Sequence, residues 1–314
     1  MTVLAGVSGT GKTLLPILYS RYMGMLQLTI SVQPRWDSPQ DLFGFYNYLE
    51  RRYKATELSR LLYAYQNNEE LQKRMAVVLF DEMNLARTEY YFSDFLSKLE
   101  LRRAGSADAA LTIALSQPVR LDIPTNMLMV GTMNEDESTQ TLSDKVLDRA
   151  NVLRFGKPTS QVTLEKKKEL TNQGLCVTRQ LWDYWCEPQT LADNQTKEVR
   201  GWLAELNDAM DRLGRPFGYR VQEAILEYVR QYPVFTGSSY KLAFADQIEQ
   251  KILPKLRGVD TMHRYYDESL SRIQAVVEHT SDKELTEALQ SAVQSAQEQG
   301  QFIWMGVNRT IAKK

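Results

Sequence analysis

Gly6-Val7-Ser8-Gly9-Thr10-Gly11-Lys12-Thr13 is the stretch on which the reading of this chain turns. It fits G-x-x-x-x-G-K-[ST], and each part has a physical reason. Glycines let the backbone wrap closely round a phosphate with no Cβ in the way. Successive backbone N–H groups then point inward as an anion nest. A following helix presents its positive end to the same phosphates. Lys12 supplies a point charge for the β- and γ-phosphates, and Thr13 a hydroxyl for Mg²⁺. The candidate phosphate and nucleotide contacts are therefore Gly6, Val7, Ser8, Gly9, Thr10, Gly11, Lys12, Thr13 and Leu14. The motif needs a strand before it and a helix after it. Residues 2–5 read as the end of a strand and residues 12–22 as a helix.

Outward from the loop, the first 155 residues alternate short apolar runs with amphipathic segments, the pattern of a parallel α/β sheet. Strands are expected at 26–32, 76–80, 127–132 and 152–155, and a helix at 89–99. Residues 111–115 and 119–121 carry β-favouring side chains round a short polar turn and read as a hairpin. From Gly156 onward only helical periodicity appears: 196–213, 219–232, 240–256 and 265–299. The last is expected to break at 280–282, where Ser281 or Asp282 caps a new helix. The fold class expected is α/β: a P-loop αβα sandwich with a parallel core sheet, then an all-α lid and a helical C-terminal tail. The expected divisions are 1–155 for the core, 156–258 for the lid and 259–314 for the C-terminal extension.

Val77-Val78-Leu79-Phe80-Asp81-Glu82 sets two carboxylates at the end of a buried strand, where α/β sheets bind ligands. Asp81 is the second candidate metal residue beside Thr13, holding Mg²⁺ through water, and Glu82 the general base that polarises an attacking water. A strand that merely ends in solvated acids is common. It is weakened here because the pair lies about 70 residues after the loop, a separation usual in such proteins. Asn134 ends another apolar strand and can bond the γ-phosphate or orient the water; alone, it would read as a turn residue. Arg149 follows a short helix and can reach a neighbouring subunit's nucleotide as an arginine finger. The plainer reading is a surface ion pair with Asp144 or Asp148, and Arg154 competes for the role. Arg220 opens a helix, where a cation is mildly unfavourable unless an anion lies close by.

Composition bounds the rest. The chain has 314 residues, 43% hydrophobic and 25% charged, ordinary for a globular protein of about two domains. A net charge of -1 gives no global basic field, so any nucleic-acid contact must come from a local patch or another subunit. Cys176, Cys186, His263 and His279 are not spaced as a metal cluster, and the thiols suit a reducing cytosol. No apolar run approaches the roughly 18 to 20 residues of a membrane span. With no basic segment leading into an apolar one at the start, a cytoplasmic location is expected.

Four further stretches carry a family resemblance. They are Leu79-Phe80-Asp81-Glu82-Met83-Asn84-Leu85-Ala86-Arg87 with Glu89-Tyr90-Tyr91-Phe92; Gly131-Thr132-Met133-Asn134-Glu135-Asp136-Glu137-Ser138; Leu142-Ser143-Asp144-Lys145-Val146-Leu147-Asp148-Arg149-Ala150-Asn151; and Gln250-Lys251-Ile252-Leu253-Pro254-Lys255-Leu256-Arg257-Gly258. With the phosphate loop, they resemble the McrB-like branch of AAA+ proteins, the motor subunits of modification-dependent restriction systems. The resemblance covers most of residues 4–258, and 300–304 resembles the close of the family's C-terminal part. It implies a ring, a hexamer, with hydrolysis in trans, and a McrC-like nuclease partner stimulated during DNA translocation. It implies Asn134 as sensor, Arg149 as finger and Arg220 as lid sensor. The best-known members use GTP and most AAA+ relatives ATP. The M-N-x-x-D pattern of the GTP users is shifted here, with Asp136 one place early and Glu137 in its position. Family members also have residues before the loop that finish the first strand, so a fragment, an internal start or a separate upstream chain is expected.

Two other functions stand beside a defence motor: a MoxR-like protein-remodelling ATPase and a nucleotide-gated scaffold. The intact Lys12, Asp81 and Glu82 argue against the scaffold, which needs no water-activating residue. Phe43-Gly44-Phe45-Tyr46 and Tyr90-Tyr91-Phe92 invite a base-stacking reading. The helical spacing of Tyr91, Phe92, Phe95 and Leu99 favours inward packing instead. Residues 165–169 read as a solvated helix face, and 101–103 as a segment leading into the hairpin that can face a pore.

Overall fold

The computed structural model describes residues 1–103, 105–113, 119–135, 142–156, 176–188, 191–233 and 239–309. The hairpin turn at 114–118, residues 136–138 of the second family stretch and the charged run at 165–169 lie outside them.

Two compact units form, each with its own core. The first takes residues 1–149 and, after an excursion into the second, 176–184 among those described. Its elements in chain order are β1 (Thr2–Gly6), α1 (Leu14–Tyr22), β2 (Leu26–Ser31), α2 (Pro39–Phe43), β3 (Gly44–Asn47) and β4 (Arg52–Ala55). Then come α3 (Glu57–Asn67), α4 (Glu69–Gln72), β5 (Ala76–Asp81), α5 (Thr88–Tyr91) and α6 (Ser93–Arg103). The unit continues with β6 (Leu111–Ile113), β7 (Val119–Leu121), β8 (Met127–Asn134) and α7 (Asp144–Leu147).

The chemistry of β5 explains its place. Five successive apolar residues, all buried, suit a strand covered on both faces and flanked on both edges. It runs parallel to β2 on one side and to β8 on the other, and β8 runs parallel to β1. The spatial order β2-β5-β8-β1 differs from the chain order, and parallel neighbours are reached by crossover connections. Asn126 sets the register at the far end: its Nδ2 donates to the carbonyls of Gln72 (3.0 Å) and Arg74 (2.6 Å), and its own carbonyl accepts from Ala76 N. At the near end, register pairs Gly6 with Asn134 and Phe80 with Gly131. Gly6 and Asn134, the last residues of β1 and β8, are thus level, and β5 ends on the same side of the sheet two residues short of them.

Tyr91, Phe92 and Phe95 pack inward as their spacing requires, with Phe92 and Phe95 edge-on to Phe80 at 4.9 and 6.1 Å between centroids. The helix expected at 89–99 is two helices, α5 and α6, meeting at Phe92. β6 and β7 pair antiparallel as the expected hairpin. A second hairpin, β3–β4, was not legible as strands. Its tip is held by Asn47, whose Oδ1 accepts from Leu49 N and Glu50 N at 3.0 and 3.1 Å. That tip exposes Tyr48 (83%) and Leu49 (96%); of the aromatic cluster before it, Phe43 is buried edge-on to Phe95, whereas Phe45 is half-exposed.

Residues 150–156, including β9 (Asn151–Phe155), belong to the second unit, whereas 176–184, with most of α8 (Arg179–Trp185), belong to the first. The reason is pairing and burial: Val177 N donates to Met23 O, Arg179 N to Lys73 O, and Val177 is buried with Met25, Met75 and Val77. The second unit adds α9 (Asp193–Arg212), α10 (Tyr219–Arg230), α11 (Tyr240–Gln247), α12 (Tyr266–His279) and α13 (Lys283–Gln299). Leu206, Ile225, Phe244, Ile273, Leu289 and Phe302 share one core, which runs across position 258. The helix expected at 240–256 continues past α11 as a π turn (Ile248–Ile252) and a 3₁₀ turn (Leu253–Leu256). Of the two expected caps for α13, Asp282 is the one that acts, its side chain accepting from Leu285 N, while Ser281 takes the left-handed turn at φ +60°. Arg309 closes this unit with contacts of 3.0 Å to both Glu249 and Asp282. No helix among the described residues is long and apolar enough to cross a membrane.

Gly44 opens β3 at φ +102°, and a Cβ there would lie 2.1 Å from the Lys54 carbonyl oxygen across the hairpin. Gly44→Ala should therefore cost about 1–3 kcal/mol, read as a lower urea midpoint. An unchanged midpoint would mean that the hairpin adjusts freely.

Candidate active site

The loop from Gly6 to Thr13 links β1 to α1, as its sequence demands. Gly9 and Gly11 both sit at φ +82°, a backbone angle that side chains with a Cβ rarely take. Nothing lies within 4 Å of where either Cβ would be, so the cradle is open and the backbone angle, not crowding, calls for glycine. Lys12 is buried at 5% exposure and turns its Nζ back on the loop, to Val7 O at 2.6 Å and Thr10 Oγ1 at 3.3 Å. Thr10 Oγ1 also donates to Val7 O, at 3.0 Å. The ammonium is thereby held inside the ring of loop atoms. Leu14 is the first residue of α1 and is half-exposed.

From Thr13 a continuous hydrogen-bonded chain runs across the sheet. Thr13 Oγ1 donates to Asp81 Oδ1 at 2.8 Å. Thr132 Oγ1 donates to the same oxygen at 2.7 Å. That hydroxyl in turn accepts from Glu82 N at 2.9 Å. Asn134 Nδ2 donates to Glu82 Oε1 at 3.0 Å. Thr13, Asp81, Glu82 and Asn134, all candidates from the sequence, meet along this line; Gly6 ends β1 in register with Asn134, and Lys12 bonds within the loop.

The segment after β5 holds the two carboxylates in place. Glu82 stands at φ +52°, left-handed backbone that costs a residue with a Cβ about 1–2 kcal/mol. Met83 N donates to Thr132 O, and Met83 O accepts from Tyr91 Oη (2.7 Å) and Thr88 Oγ1 (3.3 Å). Burial pushes the Tyr91 phenol up, so it stays a donor across the ordinary pH range. Asn84 and Asn134 bond reciprocally, Nδ2 to Asn134 O at 2.7 Å and Asn134 N to Oδ1 at 3.3 Å. This amide continues the β8 edge one step beyond the sheet.

Thr132 was not a site candidate from the sequence, nor was Asn84. A threonine in a strand reads as a β-branched filler. The available signal was its place two residues before Asn134, near the end of an expected strand. Arg149 lies elsewhere in the first unit: its guanidinium meets Glu100 Oε2 at 2.9 Å and Lys145 O at 2.8 Å. The surface partner expected among Asp144 and Asp148 is thus Glu100, brought in by α6. Arg220 belongs to the second unit, exposed in the first turn of α10. Arg102, read as able to face a pore, instead donates to Pro124 O at 2.6 Å, and burial lowers its pKa.

The donor set suits Mg²⁺ bound with a triphosphate. The Thr13 hydroxyl and the Asp81 carboxylate are hard oxygen ligands, and Mg²⁺ is held by one or two carboxylates while keeping water and phosphate oxygens. Thr13 and Asp81 would hold it, and Thr132 would fix Asp81.

Residues 178–302 match the model of a domain of unknown function, DUF8727. No curated protein matches the chain. The crystal structure of a candidate ATPase from Cytophaga hutchinsonii is similar over 90% of this chain and 84% of its own, at 16% identity and a TM-score of 0.53. The chain thus shares an α/β fold, with a parallel core sheet and added helices, with that protein.

Thr132→Val keeps the shape but removes both bonds of the hydroxyl, leaving Glu82 N without its acceptor. The expected loss is about 1–3 kcal/mol in chemical denaturation, with Thr132→Ser regaining most of it. Equal midpoints for Val and wild type would show that water replaces the hydroxyl.

Proposed function

We propose that the chain is a P-loop NTPase of the AAA+ type, of the McrB-like branch. It hydrolyses ATP or GTP in a ring, a hexamer, and drives DNA past a McrC-like nuclease in a cytoplasmic restriction or antiphage complex. The observation that carries the NTPase reading is the line Thr13–Asp81–Thr132–Glu82–Asn134, which joins the phosphate loop to a water-activating carboxylate. The motor and its partners rest on the family stretches.

On this reading the loop N–H groups and Lys12 take the phosphates, and Lys12 exchanges its bond to Val7 O for one to an anionic oxygen. Mg²⁺, when bound, neutralises charge on the phosphates. Glu82 accepts a proton from water as its oxygen attacks the γ-phosphorus and the bond to the β-bridging oxygen breaks. Asn134 holds Glu82 Oε1, fixing which way the base points. Arg149 of an adjoining copy supplies positive charge as the phosphoryl group leaves, and Arg220 reports the γ-phosphate to the helical unit.

A second reading, a MoxR-like remodeller of polypeptides, is favoured by the hairpin tip at Tyr48 and Leu49, which offers apolar side chains to solvent on a fixed turn. A hydrolysis panel of nucleotides, with and without DNA and the product of the adjacent gene, separates the two. DNA with a nuclease partner should raise turnover on the first reading and leave it flat on the second.

Glu82→Gln should keep nucleotide binding and lower turnover by about 10²-fold or more. Unchanged turnover removes Glu82 from the mechanism. Lys12→Ala should lose binding. Arg149→Ala should be inactive alone and regain turnover when mixed with Lys12→Ala subunits, one supplying the pocket and the other the arginine. Failure of the mixture to recover places the finger elsewhere.

A further inference from the structure

Arg149 is not presented bare. It follows the single turn of α7, and its Nη2 meets Glu100 Oε2 at 2.9 Å through one contact, with Nη1 on the Lys145 carbonyl. Its buried Nε finds no acceptor among the described residues. The two side chains are 22% and 24% exposed, so the pair sits at the surface rather than in the core. An arginine committed to a carboxylate commonly makes two parallel bonds. This one makes a single bond and carries a buried donor still without an acceptor among the described residues, which costs energy in the resting chain.

A phosphoryl group offers the same kind of acceptor with more charge and three oxygens. The guanidinium that bonds a carboxylate singly can take a phosphate in two-point fashion, satisfying Nε as well. Engagement is then an exchange of one anion for another. The carboxylate that must be left sets how readily the exchange occurs.

We propose that Glu100 is a holding residue for Arg149: it neutralises the guanidinium in the separate subunit and yields it to the triphosphate of an adjoining copy, so setting the protein concentration at which hydrolysis switches on. This rests on the reading of Arg149 as acting between subunits. Glu100 touches no reacting atom and acts only through Arg149. Its effect falls on the assembly threshold, while turnover at saturating protein and the affinity of the subunit's own phosphate loop are untouched.

The test measures hydrolysis against protein concentration for the full chain with Mg²⁺ and its preferred nucleotide. A partly exposed pair is worth a shift of about two- to fivefold. Glu100→Gln and Glu100→Ala should each lower the half-activating concentration by that factor, with the plateau rate unchanged. In sedimentation, the same substitutions in a Glu82→Gln background, with nucleotide bound, should lower the assembly midpoint by the same factor. Glu100→Gln with Arg149→Ala should behave as Arg149→Ala alone. A midpoint that stays fixed overturns the proposal, and one that rises overturns it too, showing Glu100 orienting the arginine rather than withholding it. If neither Glu100 variant folds, by circular dichroism, the pair is structural and the proposal falls. A fully active Arg149→Ala sinks the underlying reading instead, whatever Glu100 does.

Discussion

One carboxylate oxygen, Asp81 Oδ1, receives two hydroxyl hydrogens from parts of the chain far apart in sequence, Thr13 after the loop and Thr132 on β8. Hydrogen bonds to a charged acceptor are among the stronger ones available to a folded chain. This junction ties the loop, the acidic strand end and the neighbouring strand into one rigid corner. Each of the three would be a loose terminus of an element by itself. Tied together, they hold Glu82 and Asn134 within hydrogen-bond reach of each other. The parallel sheet makes the tie possible, because only parallel neighbours bring successive strand ends to the same edge.

Much of this corner was legible in the sequence because its signals are local. A loop of glycines with Lys12 and Thr13 reads at once, as does an apolar run ending in Asp81 and Glu82. The break before α13 was legible for the same reason, since Asp282 caps the residues next to it. What escaped depends on contacts between distant segments. The order β2-β5-β8-β1 has no mark in any one strand. Thr132 looks like any β-branched strand residue until its neighbour is known. Glu100 meets Arg149 only because α6 returns past α7's end. The β3–β4 hairpin escaped for a different reason. Its strands are four residues each, too short for alternation to show, and their aromatic residues read as a cluster.

The second unit poses a different problem. Its helices have clear periodicity and share one core, yet most of its length falls in a domain defined by likeness alone. A common α/β fold at 16% identity fixes architecture and leaves chemistry to the site. That chemistry sits in a few side chains at the strand ends of the first unit, from Thr13 to Asn134.

The backbone angle at Glu82 carries one more implication. Position 82 would be more comfortable with glycine or asparagine, both of which accept left-handed backbone at lower cost. Glutamate there runs against the backbone's own preference. A lineage freed from the need for a carboxylate would gain stability by drifting away from it. An acid kept at so uncomfortable a position makes this residue a gauge of use: in diverging copies of the chain, its replacement would be an early sign that the site had fallen idle.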